Sequence, residues 1–155
     1  MEVANLFSKI YGEGQPLIIL HGLFGMSDNW TTHAKLFASK GWQVHAVDQR
    51  NHGRSPHMTE HSYEAMAADL EAYIDAHQLE KPVILGHSMG GKTVMNFAVR
   101  SPKQIRAAIV VDIAPKAYPI HHQIYIDAMR GVDFKESRSR KAVESALSSK
   151  LNSPG

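Results

Sequence analysis

Short apolar runs recur along the chain, each closing in polar or glycine-rich sequence: Pro16–Leu20, Trp42–Val47, Pro82–Leu85 and Ile105–Val111. Runs this short and this apolar are what strands buried on both faces of a parallel sheet look like, because neither face has to meet water. The stretches between them change period. From Ser62 to His77, Tyr63, Met66, Ala67, Leu70 and Ile74 recur at spacings of three and four, while Glu64, Asp69, Glu71 and Asp75 occupy the other face. That spacing predicts an amphipathic helix. A second helix is predicted over Asp28–Ser39, with Asp28 as its N-cap and Gly41 as its stop, and a third from Ser88 to near Pro102. Beyond Pro115 the character shifts: His121–Arg130 and Glu136–Lys150 read as helices, the latter thinly apolar, and Asn152–Gly155 as a turn or tail. Strand and helix patterns in alternation define the α/β class, a mostly parallel sheet flanked by helices.

Composition narrows the class of function. With 43% hydrophobic and 21% charged residues the 155-residue chain has the balance of a folded globular domain. Its formal charge is +2 and its basic residues are scattered, so it shows no footprint for nucleic acid. The absence of cysteine excludes disulfides, thiolate catalysis and cysteine zinc sites. No apolar stretch approaches the roughly 20 residues that span a bilayer, and Met1–Gly14 lacks a signal pattern, so no membrane partner is expected and the cytoplasm is the default location.

The chemistry concentrates where the apolar runs end. Gly86-His87-Ser88-Met89-Gly90-Gly91 is a G-x-S-x-G sequence placed between a strand and a helix. A strand that turns this sharply into a helix brings the residues two before and two after the serine into contact, which only glycines permit. Ser88 would then stand exposed at a helix N-terminus, where the N–H of Met89 can face a developing oxyanion. The alternative is a helix-capping serine in a glycine-rich turn. His21-Gly22-Leu23-Phe24-Gly25 follows the first apolar run, and its glycines allow a tight turn that aims a backbone N–H, that of Leu23, at the same oxygen. A merely flexible strand-end turn would read the same way.

Two further strand ends carry charge. In Asp48-Gln49-Arg50-Asn51-His52-Gly53-Arg54-Ser55, a hydrogen-bonded turn supporting its neighbours is favoured over an acid/base or substrate-clamp role for Asp48 and Arg50. Asp112 closes the run through Val111, on the rim where open α/β sheets bind ligands. It is either an acid that orients a catalytic histidine or a carboxylate satisfied by backbone N–H groups. Phe24 and His87 flank the two turns and are the substrate-binding candidates.

HGLFG at 21–25, DQRNHGRS at 48–55, ILGHSMGGK at 84–92 and VVDIAP at 110–115, in this order and spacing, resemble the YbfF-like bacterial serine esterases of the α/β-hydrolase superfamily over roughly Pro16–Pro119. The resemblance implies Ser88 as nucleophile, Leu23 and Met89 as the oxyanion hole and Asp112 as the triad acid, acting on a small-molecule short-chain ester or acyl thioester with neither metal nor organic cofactor. It also implies an α/β-hydrolase core over 1–117, truncated after the family's sixth strand, with 118–155 starting a helical cap. Such proteins continue through the rest of the cap, further strands and the catalytic histidine. Here the histidines after Ser88 are His121 and His122, at the cap entrance. Three expectations follow: an unpaired edge at Ile105–Val111, a second chain as the partner that could supply the C-terminal part, and, as the alternative to an esterase, a silent ligand-binding relative.

Overall fold

A computed structural model describes residues 2–119 and 122–151. They divide into two compact units, Met1–Pro115 and Lys116–Gly155. The first holds strands β1 (Ser8–Tyr11), β2 (Gln15–Leu20), β3 (Trp42–Val47), β4 (Val83–His87) and β5 (Ala107–Val111), with helices α1 (Thr31–Ala38), α2 (Tyr63–Ala76) and α3 (Met89–Arg100). The second holds α4 (Gln123–Arg130) and α5 (Arg140–Ser148).

The strands form one sheet in the order β1-β3-β2-β4-β5, parallel except where β1 pairs antiparallel with β3. Alternation along β2 sorts the core. Ile18 and Leu20 join Val47 and Ile84 on the face covered by Leu70, Tyr73 and Ile74 of α2 and Val94 and Phe97 of α3. Leu17 and Ile19 join Val44, Val83 and Leu85 on the face covered by Ala34 and Phe37 of α1. Each fully buried Leu or Ile contributes about 1.5–3 kcal/mol relative to exposure, so these two layers hold the unit together. A buried ion pair stitches its rim: Arg50 donates from Nε and Nη2 to the two Asp69 carboxylate oxygens at 2.6 and 2.7 Å.

Several elements differ from the sequence reading. The strand β1 was not anticipated. Ser27–Trp30 is a 3-10 turn ahead of α1, so Asp28 is not an N-cap; its carboxylate pairs with Lys9 instead. α5 starts at Arg140, later than Glu136, because the Ser139 hydroxyl accepts the Ala142 N–H and caps it there. α4 starts at Gln123, and His121 and Asn152–Gly155 lie outside the described residues. Among the described residues β5 pairs only with β4, the unpaired edge expected at Ile105–Val111, so this run is not buried on both faces: Ile109 and Val110 are 43% and 36% exposed. An edge strand has no neighbour to cover it. Among the described residues, no helix is long and apolar enough to cross a membrane.

Candidate active site

Ser88 sits between the last residue of β4 and the first of α3, with φ 50° and ψ −113°. A non-glycine residue at positive φ is strained by about 1–3 kcal/mol, and it persists only where its surroundings over-determine it. Here they do. The Ser88 N–H donates to the Val111 carbonyl at 3.0 Å, and the Ser88 carbonyl accepts the Lys92 N–H to open α3. A Cβ on Gly86 would run into the Gly90 carbonyl, so the turn closes only with glycine there. The half-buried Ser88 makes no side-chain capping bond to α3, which removes the capping reading and leaves its hydroxyl free of the helix. As the first helical residue, Met89 carries one of the N–H groups that a helix leaves without an intrahelical acceptor.

The segment after β2 comes directly against this turn. A Cβ on Gly22 would lie 2.9 Å from His87 Nδ1 and 3.3 Å from Ser88 Cβ, so any side chain there would press on the serine. The Gly25 N–H closes a tight turn on the Gly22 carbonyl at 3.0 Å. Leu23 and Phe24 are its central residues, and Phe24 has the positive φ, 62°, that a type II turn needs at that position. The Phe24 ring is exposed. His21 is buried; its Nδ1 lies 2.8 Å from the Gly22 carbonyl and its Nε2 accepts the Gln49 N–H at 3.0 Å. The first contact requires the proton on Nδ1 and the second a lone pair on Nε2, which defines a neutral imidazole. Burial accordingly lowers the His21 pKa, against the opposing bond to Gly22.

The Asp48 turn has the supporting role expected of it. Its buried carboxylate accepts the Ser27 N–H at 2.5 Å and the Arg54 N–H at 2.9 Å, tying the segments after β2 and β3 together. Asp112 follows β5 with φ 55°. Its carboxylate is 87% exposed and lies 4.0 Å from Nε2 of His87, whose side chain is 39% exposed. The rings of His87 and Trp30 stand 6.4 Å apart, forming an aromatic margin beside Ser88. The fold thus brings Leu23, Phe24, His87, Ser88, Met89 and Asp112 to the carboxyl ends of β2, β4 and β5. Among the described residues of the first unit no imidazole hydrogen-bonds Ser88, and among the described residues no group of three or more histidine, aspartate or glutamate side chains could hold a metal ion. Sequence reasoning singled out neither Trp30 nor Thr93, and took Gln49 only as part of the supporting turn Asp48–Ser55; it did find the glycine directly after His21.

A mostly parallel sheet with helices on both faces and a strained serine at a strand-to-helix turn define a class, and residues 15–147 match the model of the α/β-hydrolase fold family. The chain belongs to that family. Its relatives include the sn-1-specific diacylglycerol lipase ABHD11 of Mus musculus, 40% identical over 146 residues that make up 90% of this chain and 48% of the relative. Esterase YbfF of Escherichia coli is 35% identical over 142 residues, 90% of this chain and 55% of that one. Among solved structures, a marine microorganism esterase superposes with a TM-score of 0.90 at 44% identity, covering 96% of this chain and 59% of its own. The chain spans about half the length of the curated relatives it matches.

Proposed function

We propose that this chain carries the nucleophile and oxyanion hole of a serine carboxylesterase. In this reading the turn at Ser88 is a nucleophile elbow: Ser88 Oγ attacks the ester carbonyl, the Leu23 and Met89 N–H groups hold the oxyanion, and the alcohol leaves. Water then releases the acid from the acyl-enzyme. Asp112 orients an imidazole, supplied from outside the described residues, that takes the Ser88 proton and passes it to the departing alcohol, and Phe24 and His87 border the site for a short acyl chain. A cytoplasmic enzyme without a cofactor fits these steps. The observation that supports the reading most is the Ser88 backbone, held at φ 50° with its hydroxyl uncommitted to the helix. Esterases and lipases among the relatives support the same chemistry.

A fluorophosphonate probe followed by peptide mapping tests it, since only an activated serine is phosphonylated. Labelling at Ser88, together with loss of nitrophenyl acetate hydrolysis in Ser88→Ala at an unchanged or higher melting midpoint, is the expected result. Turnover in Ser88→Ala equal to that of the parent would remove Ser88 from the mechanism. One observation favours a second reading, a silent relative that holds an ester without cleaving it: within the unit Met1–Pro115 Ser88 has no imidazole hydrogen-bonded to it among the described residues, and Asp112 is largely in solvent. Folded protein that binds ester and leaves the probe unreacted would establish it.

A further inference from the structure

The two oxyanion donors of the proposed mechanism belong to different elements, and the distance between them has to be set by something. Leu23 rides on the turn after β2, and Met89 opens α3. The carbonyl of His21, two residues before Leu23, is where the elements meet: a Cβ on Gly90 would lie 2.5 Å from the Leu20 carbonyl oxygen and 2.7 Å from that of His21. The same carbonyl accepts the side-chain N–H of Gln49 at 2.7 Å. On its other side Gln49 Oε1 accepts the Thr93 hydroxyl at 2.8 Å, one turn along α3 from Met89. The Thr93 oxygen also lies 3.3 Å from the Met89 carbonyl. The Gln49 main chain adds a third tie, its N–H donating to His21 Nε2 at 3.0 Å.

Gln49, Thr93 and His21 are each buried, so water does not compete for these bonds. The orientation of the amide follows from its partners. A carbonyl can only accept, so Nε2 faces His21, and Oε1 is left for the hydroxyl. Glutamate at this position would set a carboxylate oxygen against the His21 carbonyl, and an apolar side chain would release both partners.

We propose that Gln49 is a positioning residue, whose side-chain amide clamps the turn after β2 to α3 one turn beyond Met89 so that the Leu23 and Met89 N–H groups face one oxygen. The inference rests on the esterase reading for its effect on rate and on the hydrogen bonds alone for its effect on structure. Loss of a single oxyanion donor lowers turnover about 10²–10³-fold, and misplacement by about an ångström about 10²-fold. A slackened clamp that leaves both donors present belongs between about ten- and a hundredfold.

The test compares the full chain with Gln49→Met, Thr93→Val and Thr93→Ser, using nitrophenyl acetate kinetics, melting midpoints and hydrogen exchange of the peptide covering 21–25. The expected result is a fall in kcat of about 10–100-fold in Gln49→Met with KM within about twofold, and a smaller fall in Thr93→Val. Thr93→Ser, which keeps the hydroxyl, should restore the parent rate. Gln49→Met combined with Thr93→Val should cost less than the two losses multiplied, because both break one chain of bonds. A folded Gln49→Met with the parent's kcat overturns the proposal. So does Thr93→Ser that behaves like Thr93→Val, or a loss of kcat that only tracks the melting midpoint. If the parent neither hydrolyses ester nor reacts with fluorophosphonate, the esterase reading fails by itself. Hydrogen exchange then decides the clamp: faster exchange at 21–25 in Gln49→Met upholds it, and unchanged exchange sinks it.

Discussion

Acid should destabilise this protein through His45, and the structure says by how much. His45 lies on β3 with 2% of its surface exposed. Its Nδ1 is 2.7 Å from the Tyr73 hydroxyl, which spends its own proton on Ser8 Oγ at 2.7 Å. The imidazole must therefore donate from Nδ1, and Nε2 is left buried without a partner among the described residues. A second proton would place a charge and an unanswered N–H in the core. Burial first, and then the nearby His77, ring to ring at 5.7 Å, push its pKa down to about 4. The same burial pushes the Tyr73 phenol up to about 12, so it stays neutral and offers no counter-charge. In the unfolded chain His45 titrates near its ordinary value of 6.5. Between these two values the unfolded state binds a proton that the folded state refuses, so stability rises with pH across the window. The contribution is complete above pH 6.5 and is lost as pH falls towards about 4. The gap corresponds to about 3 kcal/mol, a large share of the 5–15 kcal/mol typical of a domain. Urea unfolding followed by circular dichroism at pH 7.0, 5.5 and 4.0 would measure it, with His45→Leu beside the parent. His21 and His61 are also lowered, with the same sign, and remain in both proteins. The drop in unfolding free energy from pH 7.0 to 4.0 should be about 3 kcal/mol smaller in His45→Leu. Parallel pH profiles would refute the reasoning.

Two other expectations follow from particular contacts. Arg50→Met leaves the Asp69 carboxylate buried without its guanidinium and should cost about 3–5 kcal/mol in urea unfolding, part of it recovered when Asp69→Leu is added; an equal or larger loss in the double variant would contradict this. In a preparation that turns over ester, Asp112→Asn should lower kcat by about 10³–10⁴-fold through the wrong imidazole tautomer, and a loss below about tenfold would remove this exposed carboxylate from the mechanism.

Much of the fold was legible in the residues because its signals are local. A strand ending in Gly86-x-Ser88-x-Gly90 and entering a helix is a statement about a handful of consecutive residues, and the steric reason for Gly86 acts within the turn itself, although that for Gly90 comes from the distant Leu20 and His21 carbonyls. The periods of β2, β3, β4 and α2 likewise need only their own stretch of chain. Where the outcome depended on partners far along the chain, the sequence was silent. β1 is four residues, Ser-Lys-Ile-Tyr, with no apolar run to announce it; its strand form comes from register with Val44–Val47 on β3. Asp28 has the chemistry of a cap, but its nearby Lys9 and the 3-10 turn around it decided otherwise. A polar His45 inside an apolar strand makes sense only once Tyr73, 28 residues on, stands beside it. Gln49 is one polar residue among eight in its turn until folding sets it between a carbonyl 28 residues before it and a hydroxyl 44 residues after it. Sequence by itself determined the strand-and-helix alternation and the serine turn, because backbone sterics and burial period are short-range. Tertiary structure alone decided which buried polar groups answer one another, because a hydrogen bond in the core is chosen by distance in space.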